Sequence, residues 1–341
     1  MTERTEEFPG GPVFPGSPVF AGNAEFPGSA VFAGSAVFAG NAEFPGNTEA
    51  EIASQPDCWL RAAALAGDAG EELPARGERV AVVGCGTSWF VAQSYAAARE
   101  AAGHGETDAF AASEMPARRQ YDRVVALSRS GTTTEILDLL ARLDGAVRTV
   151  VITADSATPV ATAADAVVAL DFADEQSVVQ TRFATSELAL LLAHLGWDIT
   201  PMAAAARSVL STELPAELLG AEQFTFLGTA WTCGLAHEAA LKLREAAGLW
   251  TESYPAMEYR HGPIAVAGPG RVVWLFGPAP DGLIGEVGAA GGLVWQPPET
   301  EQTPLAELVR VHRVAAAIAR ARGFDPDRPR NLTRSVILLP R

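Results

Sequence analysis

A single lysine lies between two glutamates on one face of a predicted helix. Lys242, in the stretch LKLREAAGL, is the only lysine among the 25 Lys and Arg residues of the chain. A helix turns by about 100° per residue, so Glu238, Lys242 and Glu245 fall within about 60° of one face. A lysine can lose its proton and form an imine, whereas a guanidinium stays charged and unreactive. Either the lysine survived a chain-wide preference for arginine by chance, or the position requires an amine.

The residues around this lysine indicate that the helix is buried. A solvated Glu–Lys pair on a helix surface would stabilise it by only ~0.2–0.5 kcal/mol. Leucines lie on the same face, however, and the opposite side is also apolar: Leu235, Leu249, Ala236, Ala240, Leu243 and Ala247. A buried charge needs partners or a function. We therefore treat Lys242 and Glu245 as candidate catalytic residues.

Five hydroxyl side chains lie within the stretch LSRSGTTTE, after a predicted strand and at the start of a predicted helix. They are Ser128, Ser130, Thr132, Thr133 and Thr134. A helix N-terminus offers free N–H groups and partial positive charge, and Gly131 lets the backbone approach a ligand. An ordinary helix cap needs one such hydroxyl. The cluster therefore favours a phosphate monoester site over a simple cap. Neither a Walker lysine nor a Gly-x-Gly-x-x-Gly pattern is present, which disfavours a nucleotide.

Two further stretches carry groups that can do chemistry. GCGTSW, residues 84–89, follows another predicted strand, and Thr87 and Ser88 there are either ligand contacts or part of a capped turn. Open α/β sheets bind ligands beyond the carboxyl ends of their strands, so both loops are well placed. His261 lies in a turn before Gly262 and Pro263. A histidine in such a turn is either a proton carrier or a structural residue.

The composition limits the possible partners. The formal net charge of −16 leaves no basic surface for nucleic acid or an anionic membrane. Three cysteines, Cys58, Cys85 and Cys233, have no zinc-site spacing, so we expect no metal and no other cofactor. The acidic start MTERTEEFPG lacks an apolar signal core, and the apolar runs are too short to span a bilayer. We expect a cytoplasmic protein.

A six-residue repeat occupies the beginning of the chain. Phenylalanine recurs at positions 8, 14, 20, 26, 32, 38 and 44, within units such as FPGSPV and FAGNAE. A hexapeptide β-helix would need aliphatic corners and more repeats. The Pro- and Gly-rich composition instead predicts a disordered tail over residues 1–50.

The rest of the chain alternates strands and helices. RVAVVG, YDRVVAL, RTVVIT and DAVVAL read as strands, each followed by a helical or loop segment. The pattern restarts with FTFLG, a Gly-Thr turn and the long lysine-bearing helix. This predicts an α/β fold of two αβα subdomains with parallel sheets, over about 55–205 and 206–341, the second abbreviated.

Taken together, these motifs resemble the SIS (sugar isomerase) domain family, and especially the isomerase half of glucosamine-6-phosphate synthases. The likeness rests on five stretches in order: VVGCGTS, LSRSGTTTEIL, EQSVVQTR, EAALKLREAAGLWTESYPAMEYRHGP and DPDRPRNLTRSV. It covers about residue 55 to the end. The combination is specific for the family and much less so for the reaction.

The resemblance implies a role for each matching position. Glu245 corresponds to the base that moves a proton between C1 and C2, with Lys242 as its catalytic neighbour. His261 corresponds to the ring-opening histidine, which reaches in from the other subunit, so a complete site implies a homodimer. The remaining positions are implied to bind the sugar phosphate: Ser128, Ser130 and Thr133 with the Arg129 backbone as the phosphate cradle, Thr87, Ser88, Val178 and Gln180 around the sugar.

The sequence also departs from the family pattern. No counterpart of the glutaminase half is recognisable, so we expect no glutaminase activity. The synthases form an imine through a lysine in the C-terminal tail, and that position here is Arg334. A guanidinium cannot form the imine, so this role is either lost or transferred to Lys242.

Three functions therefore remain open at this stage. The leading one is an enzyme that isomerises a hexose phosphate or deaminates an aminosugar phosphate, of the fructose 6-phosphate or glucosamine 6-phosphate type. The second is a sugar-phosphate-binding module without catalysis, acting as a sensor. The third, a structural protein that assembles through its Phe-Pro-Gly repeats, is remote.

Overall fold

We analysed a computed structural model of the protein, which describes residues 46–116, 118–297 and 303–338. The six-residue repeats lie outside the described residues. The helices and strands follow in chain order: α1 (Asn47–Asp68), β1 (Val80–Gly84), α2 (Thr87–Ala101), β2 (Thr107–Ala111), β3 (Arg123–Leu127), α3 (Thr134–Leu143), β4 (Arg148–Thr153), α4 (Pro159–Ala163), β5 (Ala166–Ala169), α5 (Arg182–His194), α6 (Thr200–Ser211), α7 (Ala216–Leu219), β6 (Gln223–Gly228), α8 (Thr232–Ala247), β7 (Thr251–Pro255), β8 (Arg271–Leu275), α9 (Leu283–Ala289), β9 (Leu293–Trp295) and α10 (Pro304–Ala321).

The strands form two parallel sheets, which confirms the predicted α/β fold. The first has the order β2-β1-β3-β4-β5 and the second the order β7-β6-β8-β9. Every described strand pair is parallel, as the β–α alternation requires. β1 and β3 are buried along their whole length, because helices cover both faces of the sheet.

Two of the four edge strands in the described sheets, β2 and β7, were not predicted. Their sequences, TDAFA and TESYP, mix polar and apolar residues, and most of their residues are only partly buried. The composition of such an edge strand does not identify it as a strand. Its place in the sheet depends on hydrogen bonds to the neighbouring strand. β2 pairs with β1 and β7 pairs with β6 in this way.

Helices cross both of the expected domain boundaries. α1 begins at Asn47, inside the segment expected to be a tail, because tertiary partners hold its first turn: the amide of Thr48 donates to the Asp327 carboxylate at 2.8 Å. Pro56 lies inside this helix, although proline usually marks a helix start. The boundary at 205/206 falls within α6, which runs unbroken from Thr200 to Ser211.

A common core joins the two sheets. The largest cluster of buried apolar residues includes Val80 and Val125 of the first sheet, Phe224 of the second, and residues of α1, α5, α8 and α10. α2 packs directly on α8 across this core. The start of α2 is thereby placed beside the lysine-bearing helix, and the candidate site lies at this junction.

Candidate active site

Two loops lie side by side at the carboxyl edge of the first sheet. β1 and β3 are neighbours, and the chain leaves them in opposite directions across the sheet, β1 toward β2 and β3 toward β4. Such a switch point opens a crevice between the two loops. Gly84 is required at the end of β1, since a Cβ there would lie 2.5 Å from the backbone of Ser88. Burial raises the pKa of Cys85 to about 11, so this loop thiol stays protonated and is a poor nucleophile.

The loop after β3 forms a cluster of hydroxyls, as predicted. Gly131 has a φ of +61°, and a Cβ there would lie 1.8 Å from the Thr158 hydroxyl. This turn brings the Ser130 and Thr133 hydroxyls to 3.4 Å from each other. The hydroxyl of Ser128 is buried and has no hydrogen-bond partner among the described residues. A buried polar group of this kind favours a ligand.

The C-terminal segment, residues 331–338, lies across this hydroxyl cluster. Its Ser335 hydroxyl is 3.1 Å from Ser130 Oγ and 3.0 Å from Thr132 Oγ1. The amide of Thr134, at the start of α3, donates to the carbonyl of Val336 at 3.1 Å. Ser335 and Val336 therefore occupy groups that would otherwise face an anion at this helix N-terminus. We call residues 331–338 the C-terminal strap.

The predicted lysine cluster on α8 is buried. The side chain of Lys242 is 1 % exposed, and its Nζ donates to Glu245 Oε2 at 2.6 Å and to Thr87 Oγ1 at 2.9 Å. Glu238 Oε1 lies 3.3 Å from the same nitrogen. Glu245 is the outermost of the two carboxylates, with 20 % of its side chain exposed. Thr87 is the first residue of α2, so the contact links the loop after β1 to α8.

The charges around Lys242 set its protonation state. Burial lowers the pKa of Lys242, but the neighbouring carboxylates of Glu238 and Glu245 outweigh this effect and raise the pKa overall. Lys242 is therefore a cation at neutral pH. Burial raises the pKa of Glu238 to about 7, although Lys242 works against this shift. Glu238 thus gains or loses its proton near neutral pH while Lys242 keeps its charge.

Two more buried titratable groups lie around this cluster, and neither was predicted. Burial and the charge of Glu238 raise the pKa of Glu187, on α5, well above its usual range. Burial and the charge of Lys242 hold the pKa of His312, on α10, well below its usual range. Both shifts favour the neutral form of the side chain. The charge pair of Lys242 and Glu245 is therefore flanked by two buried groups that resist ionisation.

Arg129, expected beside the phosphate, has its side chain directed away from the hydroxyl cluster. Its guanidinium is buried and donates to the carbonyls of Ser177 at 3.1 Å and Val178 at 3.0 Å. It also pairs with Glu175 at 3.4 Å, whose other oxygen accepts from the first amides of α5. The side chain of Arg129 therefore ties the 175–178 segment to the first sheet.

Val178, Gln180 and Arg334 take different positions relative to the site. The amide of Val178 donates to the carbonyl of Asp327 at 3.0 Å. The Val178 side chain is half-buried. Gln180 has a buried side-chain oxygen without a partner among the described residues. The guanidinium of Arg334 contacts the Asp174 carboxylate and the Glu175 carbonyl. It anchors the C-terminal strap, and its side chain is engaged outside the hydroxyl cluster.

Ser88 and His261 complete the predicted set. Ser88 is buried one residue after Thr87. His261 is exposed in the turn after Tyr259 and Arg260, and its amide donates to the carbonyl of Glu258 at 3.0 Å. The described contacts do not connect His261 with Lys242 or Glu245. Within one chain, the described contacts join α2 to α8, and the hydroxyl cluster follows the neighbouring strand of the same sheet, whereas His261 lies apart from these contacts.

Neither a metal-ligand cluster nor a membrane helix is found in the described part of the chain. No group of three or more His, Cys, Asp or Glu side chains there is arranged to hold a metal ion. None of the described helices has the length and apolar character needed to cross a bilayer.

Comparison with known proteins identifies the fold that carries these groups. A family model described as SIS domain matches residues 75–195, which include both loops at the switch point. The match confirms the resemblance of this part of the chain to SIS domains. The glutamine–fructose-6-phosphate aminotransferase (isomerizing) of Corynebacterium efficiens is 30% identical over 322 residues, covering 76% of this chain and 51% of that enzyme. The enzyme of the same name from Pyrobaculum aerophilum is 26% identical, and 43% of it is covered. The chain thus spans about half the length of the curated relatives it matches.

Solved structures share the SIS architecture at low identity. A glucosamine-6-phosphate deaminase from Thermotoga maritima superposes with a TM-score of 0.71 at 23% identity, covering 85% of this chain and 100% of that one. A tagatose-6-phosphate ketose/aldose isomerase from Escherichia coli has a TM-score of 0.70 at 18% identity, covering 87% and 97%. At these identities the likeness concerns the fold. Both matches extend well beyond the SIS domain at 75–195, so the second sheet belongs to the shared architecture.

The SIS site contains contacts that sequence patterns could not supply. Glu187 lies in the apolar run SELALLLAHLG, where one acidic residue reads as the polar side of a helix. Ser335 lies 205 residues from Ser130, and no periodicity links the two. The sequence offers one signal for Glu187, which is its position among leucines and alanines. An acid in such a run either faces solvent or is buried with a partner or a function.

Proposed function

We propose that this SIS protein is a sugar-phosphate isomerase or an aminosugar-phosphate deaminase. The observation that carries the proposal is the group formed by Lys242, Glu245 and Thr87, in which a buried cation holds a partly exposed carboxylate at 2.6 Å. The loop after β3 would hold the phosphate through Ser128, Ser130 and Thr133 and the amides at the start of α3. The relatives named as aminotransferase, deaminase and isomerase support this class of substrate.

In the proposed reaction, Glu245 acts as the base between C1 and C2 of the open-chain sugar. It removes the proton next to the carbonyl and returns it to the neighbouring carbon, which interconverts aldose and ketose. With an aminosugar the same transfer gives an imine at C2, and addition of water then releases ammonia. Thr87, Ser88, Val178 and Gln180 would border the sugar. The exposed side of Glu245 is the route by which the substrate reaches it.

We assign Lys242 the role of electrostatic stabiliser. The neighbouring carboxylates raise its pKa, so it remains protonated and cannot attack a carbonyl as a free amine. A fixed cation beside the base lowers the energy of the enediolate oxygen that develops in the transition state. Arg334, engaged with Asp174, does not replace the imine-forming lysine of the synthases. The proposed mechanism accordingly proceeds without an imine to the protein.

His261 enters the proposal only through a second copy of the chain. It is exposed, and no described contact joins it to Lys242, so a ring-opening role requires a homodimer in which the histidine reaches the partner's site. We propose such a dimer in the cytoplasm, with neither nucleic acid nor membrane as partner. We also propose that the chain lacks glutaminase activity, which would leave deamination easier than synthesis from glutamine.

The alternative is a SIS module that binds a sugar phosphate without turnover. It is favoured by Arg334, which stands where the synthases carry their imine-forming lysine and whose guanidinium contacts Asp174. A binding protein needs the cluster and does not need Glu245.

Proton NMR in heavy water separates these possibilities. The protein is incubated with fructose 6-phosphate and with glucosamine 6-phosphate, and deuterium entry at C1 or C2 is followed while ammonia is assayed. We expect exchange that Glu245→Gln abolishes and that Glu286→Gln, at a surface ion pair with Arg260, leaves intact. Ammonia release would assign the deaminase. Saturable binding without exchange would reject the enzyme and support the binding module.

A further inference from the structure

The second sheet repeats the strand order of the first. β6 lies between β7 and β8, as β1 lies between β2 and β3. The second sheet therefore has its own switch point, between β6 and β8, and the loops that follow these strands correspond to the two loops of the candidate active site. A cavity of about 260 Å³ lies there, bordered by Thr229 after β6 and by Phe276 and Gly277 after β8. Switch points are where open α/β sheets bind ligands.

The chemistry of this second cavity differs from that of the first. Its walls include Trp231, Leu275 and Phe276, whereas the loop after β8 reads GPAP and offers no hydroxyl. The Thr232 hydroxyl at the start of α8 accepts from the Thr229 amide at 2.8 Å and donates to the Thr229 carbonyl at 3.0 Å. The turn thus uses the hydroxyl that a phosphate would need. The cavity does not suit a sugar phosphate.

A buried carboxylate lines the cavity. Glu307 of α10 is 1 % exposed, and its Oε1 accepts from the indole nitrogens of Trp274 at 3.1 Å and Trp295 at 2.7 Å. Its Oε2 pairs with Arg310 at 3.1 Å. These contacts hold the carboxylate rigidly against an aromatic wall. The described residues that line the cavity include no Lys, Arg or His to attract an anionic ligand, whereas an N–H or O–H group could donate to the carboxylate or to the nearby Gln296.

We propose that this cavity is a second ligand site, which takes a small uncharged ring compound carrying an N–H or O–H donor. Its volume lies just below the ~300–1,000 Å³ usual for small-molecule pockets, so the ligand is a single ring system or a fused pair. The aromatic wall contacts the ring, and the polar groups at Glu307 and Gln296 orient the donor. The site is independent of the reaction proposed at the first sheet.

Indole and two derivatives form the test, measured by ligand-observed NMR titration of the full chain. Indole supplies a ring and a donor, 1-methylindole removes the donor, and indole-3-carboxylate adds a negative charge. We expect saturable binding of indole, about tenfold weaker binding of 1-methylindole, and at least tenfold weaker binding of the carboxylate. Equal binding of all three would overturn the proposal, as would the absence of saturable indole binding.

Two matched variants locate the site. Gln296→Phe places a larger side chain at a half-buried position on the cavity wall, and we expect it to reduce indole binding at least tenfold. Gln223→Phe makes the same exchange at the other end of the sheet, at the first residue of β6, and should leave indole binding unchanged. Both variants should bind fructose 6-phosphate as the wild type does. Undiminished indole binding by Gln296→Phe would show that indole binds elsewhere and would reject the site.

Discussion

At the scale of single residues, the three acceptors around Lys242 explain why the position holds a lysine. Thr87 Oγ1, Glu238 Oε1 and Glu245 Oε2 all lie within 3.3 Å of one nitrogen. An ammonium is compact and can donate in three directions, whereas a guanidinium donates within one plane and is larger. The position therefore selects for the shape of the cation as well as for its charge.

Lys242→Arg should keep the positive charge at this position and lose the contacts of the ammonium group with Thr87, Glu238 and Glu245. We expect turnover to fall by about 100-fold, which corresponds to about 2.7 kcal/mol of transition-state stabilisation, and unfolding free energy to fall by ~1–3 kcal/mol from overpacking. Steady-state kinetics and urea unfolding measure the two effects. Lys242→Met is the companion variant, because it keeps the length and removes the charge. Normal turnover in Lys242→Arg would show that the lysine is there by accident.

Glu187 makes stability depend on pH. Its pKa is raised in the folded protein, so between the unfolded value near 4.5 and the folded value the native state holds a proton that the unfolded chain releases. Below about pH 4.5 the burial of Glu187 costs the protein no unfolding free energy through ionisation. As the pH rises from there toward the folded pKa, the unfolding free energy falls. Glu187→Gln removes this loss. We expect the variant to gain on the wild type by up to ~1.4 kcal/mol for each pH unit within this window.

Urea unfolding at pH 5, 6, 7 and 8 tests the effect of Glu187. Glu286→Gln serves as the control, since its side chain lies in a surface ion pair with Arg260. The control should show the same pH dependence as the wild type. A constant difference between Glu187→Gln and wild type across the four pH values would contradict a protonated Glu187.

Part of this site could be predicted from the sequence. Glu238, Lys242 and Glu245 were placed on one face because helix periodicity is local, and the hydroxyl cluster was recognised because its members lie within seven residues. Their partners depend on tertiary packing: Thr87 is 155 residues from Lys242. The side chain of Arg129 also depends on tertiary packing: only its backbone was predicted to contact a phosphate, and the carbonyls of Ser177 and Val178 decide where the guanidinium lies.

At the scale of elements, the C-terminal strap and the start of α3 meet where a phosphate is expected. Ser335 contacts Ser130, Thr132 and Thr133 at 3.0–3.4 Å, and the amide of Leu338 donates to Thr134 Oγ1 at 2.9 Å. A neutral hydrogen bond of this kind contributes about 0.5–1.5 kcal/mol. The strap can therefore compete with a ligand without excluding it.

Substitutions at Ser335 should change the affinity of the site for phosphate in opposite directions. Ser335→Ala removes the competing hydroxyl, and we expect KM for the sugar phosphate to fall about threefold. Ser335→Asp places a carboxylate among the hydroxyls, and KM should rise at least about tenfold. Leu332→Ala, at an exposed position of the strap, is the control. A higher KM in Ser335→Ala would mean that Ser335 helps to bind the substrate.

At the scale of the whole molecule, the crossing of α2 and α8 joins the two sheets. A Cβ at Gly234 of α8 would lie 2.3 Å from Ser94 Oγ and 2.4 Å from the carbonyl of Phe90, both on α2. The missing side chain permits the close approach by which Thr87 reaches Lys242. The geometry of the candidate site thus depends on a glycine that takes no part in its chemistry.

Gly234→Ala should separate α2 from α8. We expect a loss of ~1–3 kcal/mol in unfolding free energy and a marked fall in turnover, because the Thr87–Lys242 hydrogen bond is stretched. Calorimetry and kinetics provide the two readouts. Gly288→Ala is the matched control in α9, where a Cβ meets nothing within 4 Å, and it should be neutral or slightly stabilising. Similar effects of both variants would argue against a special role for the crossing.

The position of the strap also bears on how the protein should be handled at the bench. Its last described residue, Leu338, hydrogen-bonds to Thr134 at the start of α3, close to the hydroxyl cluster. A fluorescent label attached within the strap would crowd the hydroxyl cluster, so measured affinities would depend on the label. Labels for kinetic work therefore belong outside residues 331–338.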